Sequence, residues 1–151
     1  MFCYSVTVVP GYQVASGLAV DAEFEQGSIA LQKPHFKQRG IDLTHCFNGT
    51  INVAFNVQQV AILRSHHHIE QLKWYQHWPA EDFDFVKCEL CFNLQRVTGF
   101  IYQPSPTTKI DHYQPANVLE LLAPKLDGLV YGSKLELLVE HGYLMLHPNQ
   151  L

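Results

Sequence analysis

With 151 residues, the chain has about the length of one domain, and a domain of that size buries roughly 68–70% of its unfolded surface without needing a covalent staple. Hydrophobic residues make up 47% and charged residues 16%, which excludes a disordered chain and a surface laced with ion-pair networks. The net charge is −4 and the pI about 6.1, so no electrostatic footprint for nucleic acid is expected.

No apolar run approaches the ~20 residues of a membrane span, and no membrane partner is expected. The apolar start carries no Lys or Arg before Lys33, unlike a secretory leader, and a cytoplasmic location is expected. Four cysteines in a chain of this length do not make a disulfide framework. There is no internal repeat, low-complexity segment or linker, so one domain over 1–151 is expected.

In chain order, residues 2–9 are β-branched and aromatic and stop at Pro10-Gly11, a strand. Residues 12–15 are a second short strand candidate, and 23–31 are weakly strand-like. Residues 33–39 carry charge and predict a helical turn ending at Gly40. Asn48-Gly49 is a strong turn signal, and a strand follows over 50–57. The polar and aromatic stretch 65–78 ends at Pro79. From 83 to 94 the alternation is strict. Val86, Cys88, Leu90, Phe92 and Leu94 fall on the inward face, with Lys87, Glu89, Cys91 and Asn93 opposite. Residues 99–102 make a short strand and 103–109 a loop. Strands are expected at 118–122, 135–139 and 143–146. About eight short strands with little helix predict an all-β barrel or a β-rich mixed domain.

Three stretches bear on chemistry. Thr50 and Asn52 follow the glycine turn and share one face of a strand. Two neutral oxygen donors so placed suit a hard cation such as Mg²⁺, and equally a plain strand with one polar face. Ser65-His66-His67-His68 invites a metal, but consecutive histidines diverge, and a solvated loop is expected. Cys88-x-x-Cys91 invites zinc, but a regular strand sends its two thiols to opposite faces, so Cys88 reads as core and Cys91 as surface, without zinc. Glu120 sits in the apolar strand Val118-Leu119-Glu120-Leu121-Leu122, where a carboxylate needs a ligand, a partner or an edge facing water. No nucleophile elbow, P-loop or dinucleotide fingerprint is present.

The order of these motifs carries a resemblance. Gly11-x-x-Val14-x-x-Gly17-Leu18 is followed by Asn48-Gly49-Thr50-Ile51-Asn52-Val53 and then by the strand ending near Phe92. Gly99-Phe100-Ile101-Tyr102-x-Pro104 and Val118-Leu119-Glu120-Leu121-Leu122-Ala123-Pro124 complete the series. Over about residues 11–140 the chain resembles the archaeal-type CTP-dependent riboflavin kinases. The resemblance implies a mainly β fold, a six-stranded cradle-loop (riboflavin-kinase-like) β-barrel with short helical turns. It implies that Thr50 and Asn52 hold Mg²⁺ on the nucleotide phosphates, and that Glu120 and a threonine of the preceding loop, Thr107 or Thr108, contact the flavin. Gly17, Leu18, Lys125, Leu126, Asp127 and Gly128 fall at nucleotide-contacting positions. The implied reaction is phosphoryl transfer from CTP to riboflavin, giving FMN, with positioning and charge stabilisation supplying the catalysis. The family's glycine-rich first loop reads here Ser16-Gly17-Leu18-Ala19-Val20-Asp21-Ala22, with one glycine and an added acid. That departure keeps a second expectation open, a non-catalytic nucleotide- or small-ligand-binding barrel. A third reading, a metal-binding protein using the histidines, is weaker.

Overall fold

The computed structural model describes residues 1–11, 27–104 and 115–149. Their elements are β1 (Phe2–Val9), α1 (Gly27–Gln38), β2 (Ile51–Phe55), β3 (Gln59–Ile62), β4 (His67–Leu72), β5 (Glu81–Phe92), β6 (Gln95–Pro104), β7 (Val118–Leu122), β8 (Lys134–Val139) and β9 (Leu144–His147). The architecture is mainly β, with one helix among the described residues.

The large sheet runs β4-β5-β6-β7-β2-β1-β8, all antiparallel, and β8 also pairs with β5. Hydrogen bonds therefore ring through six strands: β5, β6, β7, β2, β1 and β8. β3 and β9 form a separate two-stranded sheet. Alternation explains which side chains line the ring. Val6 and Val8 of β1, Val53 of β2, Ile101 of β6, Leu119 and Leu121 of β7, and Leu135, Leu137 and Val139 of β8 form one buried cluster. A second cluster lies on the other face of the sheet, under α1. It holds Ile29 and Phe36 of the helix with Phe83, Phe85, Tyr102 and Leu122 of the strands.

β5 belongs to both clusters. Phe83 and Phe85 are buried toward α1, whereas Val86, Cys88 and Leu90 are buried in the first cluster, so the buried face changes between Phe85 and Val86. The expected inward set holds for Val86, Cys88 and Leu90, and Phe92 packs half-buried against the same cluster. Leu94 corrects it, being fully exposed. The chain has already turned there, with Asn93 and Leu94 at φ 46° and 65° between β5 and β6. Both central residues at positive φ suit a two-residue hairpin matched to strand twist.

Two other expectations are corrected. Residues 27–31, read as strand-like, belong to α1, which also absorbs the turn expected over 33–39. Its end is fixed by Gly40 at φ +95°. Ile41 N donates to Phe36 O and Gly40 N to Lys37 O, the paired bonds of a Schellman cap, with Ile41 and Phe36 packed in one cluster. His67 and His68, taken as part of a solvated loop, belong instead to β4, paired with β5. The strand candidate at 12–15, residues 23–26 and the loop residues 105–109 lie outside the described residues.

Candidate functional site

β7 is a central strand, between β6 and β2, so Glu120 does not lie on a sheet edge. Its Cα partners are Asn52 on β2 and Tyr102 on β6. Directly paired residues share a face, and Asn52, Glu120 and Tyr102 form one polar row across three strands. Thr50, just before β2, joins it: its Oγ1 donates to Glu120 Oε1 over 3.2 Å. Two positions expected to hold a cation and one expected to contact a flavin thus meet, although 70 residues separate Thr50 from Glu120.

Asn52 is buried, at 9% exposure, and Gly11 lies against its carboxamide. A methyl group at position 11 would overlap that amide and stand 2.7 Å from its Cγ. Here the missing side chain is a space requirement, not a backbone one.

Tyr102 is wholly buried, and its hydroxyl donates to Gln32 Oε1 of α1 over 2.7 Å. Burial raises its pKa well above the usual phenol value, and the carboxylates of Glu120 and Glu81 push it further the same way. It stays protonated and acts as a donor. Gln32, 2% exposed, locks the helix to the row, because a buried amide must keep its partner. Neither Gln32 nor Tyr102 is legible as a site residue in the sequence.

Residues 125–128 lie past the end of β7. Lys125, Asp127 and Gly128 are exposed, and Leu126 is 4% exposed, in the core of the ring. Gln95 ties this turn to the β5–β6 hairpin: Asp127 N donates to Gln95 Oε1 and Gln95 Nε2 to Asp127 O, each 3.0 Å. Gly17, Leu18, Thr107 and Thr108 lie outside the described residues.

The three histidines go to three different partners. Lys87 N donates to His66 Nδ1 over 3.0 Å, and the His66 ring stacks on Tyr143 at 4.0 Å. His67 meets Phe100 edge-on. His68 Nδ1 lies 2.7 Å from Asp84 Oδ1. Cys88 is buried in the ring, and Cys91, three residues along the same strand, is half-buried on the opposite face. Among the described residues no three His, Cys, Asp or Glu side chains converge as metal ligands, and no helix is long and apolar enough to cross a membrane.

The hydrogen bond that His68 donates to Asp84 raises the pKa of His68, which has a signed consequence. A raised folded-state value means stability that is present below the ordinary histidine pKa and lost as pH rises through the folded one. The urea midpoint of His68→Gln should therefore fall furthest below wild type near pH 5.5 and converge with it by pH 8. A gap that widens with pH would contradict this. The ring is 44% exposed, so the difference is small.

Comparison with known proteins leaves the site to be read on its own chemistry: no family model matches the chain, and no curated protein is similar to it.

Proposed function

We propose that this chain is a Mg²⁺-dependent phosphotransferase of the CTP-dependent riboflavin kinase type, built on a six-stranded cradle-loop barrel, that converts riboflavin to FMN. The observation that carries the reading is the meeting of Thr50, Asn52 and Glu120 on one sheet face. The resemblance assigns the first two to the nucleotide side and the third to the flavin side. A transfer between two substrates needs those sides adjacent.

The donors fit a hard cation. The Thr50 hydroxyl and the Asn52 carboxamide are both neutral oxygen donors, few enough to leave room for water and phosphate oxygens. Thr50 donates its hydroxyl hydrogen bond to Glu120, which leaves the lone pairs of the hydroxyl oxygen available as acceptors. When bound, Mg²⁺ neutralises phosphate charge that develops during transfer. The protein's part is positional. Thr50 and Asn52 hold the nucleotide end, Glu120 accepts hydrogen bonds from the flavin, and Gln32 of α1 fixes the row through Tyr102. In the reaction the bond between the CTP γ-phosphorus and its bridging oxygen breaks. A bond forms to the ribityl 5′-oxygen, whose proton is released, and CDP leaves.

A second reading, a non-catalytic nucleotide- or small-ligand-binding barrel, is favoured by the single glycine of 16–22 and by Leu126. With that side chain in the core, only backbone and the exposed neighbours can meet a nucleotide at 125–128.

The test is purified protein with riboflavin, CTP and Mg²⁺, followed by chromatography for FMN. Wild type should form FMN, and Asn52→Ala and Glu120→Ala should each lose about 10²-fold in rate through misplacement while keeping a native circular dichroism spectrum. Failure to form FMN with any nucleoside triphosphate, combined with a nucleotide-dependent thermal shift, would give the second reading its support.

A further inference from the structure

We infer that Lys33, on α1, is the cationic contact for the anionic part of the ligand at the Thr50–Asn52–Glu120 site. The inference rests on the proposed function only in taking that ligand to carry phosphates.

Lys33 is half-buried, and its Nζ donates to the backbone carbonyl of Cys46. No ion pair among the described residues involves it. Burial lowers its pKa, and the neighbouring Cys46 thiol, itself pushed up to about 11 by burial, stays neutral beside it. An ammonium that has left part of its water without gaining a carboxylate among the described residues carries a desolvation cost. An arriving anion offsets that cost, whereas a fully solvated lysine gains less.

Its placement joins it to the site by two routes. Along the chain, Cys46 begins the stretch that ends at Thr50, and Phe47 N donates to Ala123 O at the end of β7. Through the helix, the preceding residue Gln32 is bonded to Tyr102, the Cα partner of Glu120. Lys33 is thus tied through the Cys46–Phe47 segment to the end of β7 opposite Thr50, on the helix whose Gln32 is bonded to Tyr102 of the polar row. Lys125, by contrast, is exposed beyond β7 in a turn held to the β5–β6 hairpin. A solvated charge there is screened and contributes little.

Calorimetric titration with Mg-CTP, sodium tripolyphosphate and riboflavin tests the assignment on Lys33→Gln, Lys33→Arg and the exposed control Lys37→Gln. Loss of a charged hydrogen bond predicts about 10-fold or greater weakening of both phosphate ligands in Lys33→Gln. Lys33→Arg should recover most of it, Lys37→Gln should match wild type, and riboflavin, uncharged at the ring and ribityl chain, should bind all four proteins alike. The slope of log affinity against log salt should flatten in Lys33→Gln alone. Unchanged tripolyphosphate affinity in Lys33→Gln overturns the inference and leaves the kinase reading intact. Equal loss of riboflavin binding in Lys33→Gln and Lys33→Arg also overturns it, since Lys33 would then be a strut for the Cys46 loop. Lys33-dependent phosphate binding without FMN formation supports the inference and removes the kinase reading. A wild type that binds neither phosphate ligand removes both.

Discussion

Replacing Phe36 with alanine is expected to cost about 3–5 kcal/mol of folding stability, the range for emptying a fully buried phenylalanine site. The ring is 0% exposed and meets Phe83 and Phe85 edge-on at 5.0 and 5.1 Å, with Tyr102 at 6.4 Å. Its loss removes the larger of the two apolar anchors of α1, leaving Ile29, and the Schellman contact with Ile41 goes with it. The helix would then be left with Ile29 in the core and the Gln32 and Lys33 hydrogen bonds, and a 12-residue helix containing Pro34 is not stable by itself in water. Urea unfolding should show the lowered midpoint, and amide exchange should show α1 losing protection more than β1 or β8. Phe36→Leu, which keeps most of the volume, should lose clearly less. An alanine variant within about 1 kcal/mol of wild type would show that α1 is not held by this cluster.

Gly99→Ala is the second large effect. A methyl group there would overlap the carbonyl oxygen of Leu122 and come within 3.1 Å of the Ala123 Cβ. The obstructing group is strand backbone and cannot rotate away, so β6 and β7 must separate locally. Overpacking of this kind costs about 1–3 kcal/mol and sometimes more. The displaced segment is the end of β7, two residues beyond Glu120, so ligand affinity should fall together with stability. Thr98→Ala, one residue away and exposed, should leave both nearly unchanged. A Gly99→Ala protein with a wild-type melting temperature would mean that β7 can yield at no cost.

The strands were legible where apolar side chains alternate or run together. β5 follows from apolar side chains at period two, β1 from β-branched and aromatic content, and β7 and β8 from short apolar runs bounded by turn residues. The alternation ran on through Leu94 since nothing in the pattern marks the turn: Leu94 occupies a left-handed position that glycine usually takes. α1 was obscured by its own chemistry. Its buried stripe is Ile29, Gln32 and Phe36, with a polar residue at the centre that makes sense only opposite Tyr102. Pro34, a residue that interrupts helical hydrogen bonding, lies inside it. β4 was hidden by consecutive histidines, whose strand conformation depends on Asp84 and β5.

Of the site, Thr50, Asn52 and Glu120 could be singled out because polar residues beside apolar strand positions demand an explanation. Their mutual contact depends on β2 lying beside β7, a pairing that no local pattern encodes. Gln32, Tyr102 and Lys33 acquire meaning only when the helix is laid across the sheet. Gly11 is informative only once Asn52 is seen against it.

The step at Phe85 and Val86 has a consequence for how the chain can vary in length. A one-residue slip in a strand with one buried face carries its whole apolar set to solvent, whereas β5 buries one face up to Phe85 and the other from Val86. Because side chains alternate with a period of two, one residue inserted before Phe85 would turn Phe83 away from the helix while leaving Val86, Cys88 and Leu90 in place. One inserted after Val86 would do the reverse, turning Cys88 and Leu90 outward under an undisturbed helix. Substitutions of similar volume can be absorbed along β5, but single-residue insertions and deletions between Phe83 and Leu90 cannot, and homologous chains should keep this interval at constant spacing.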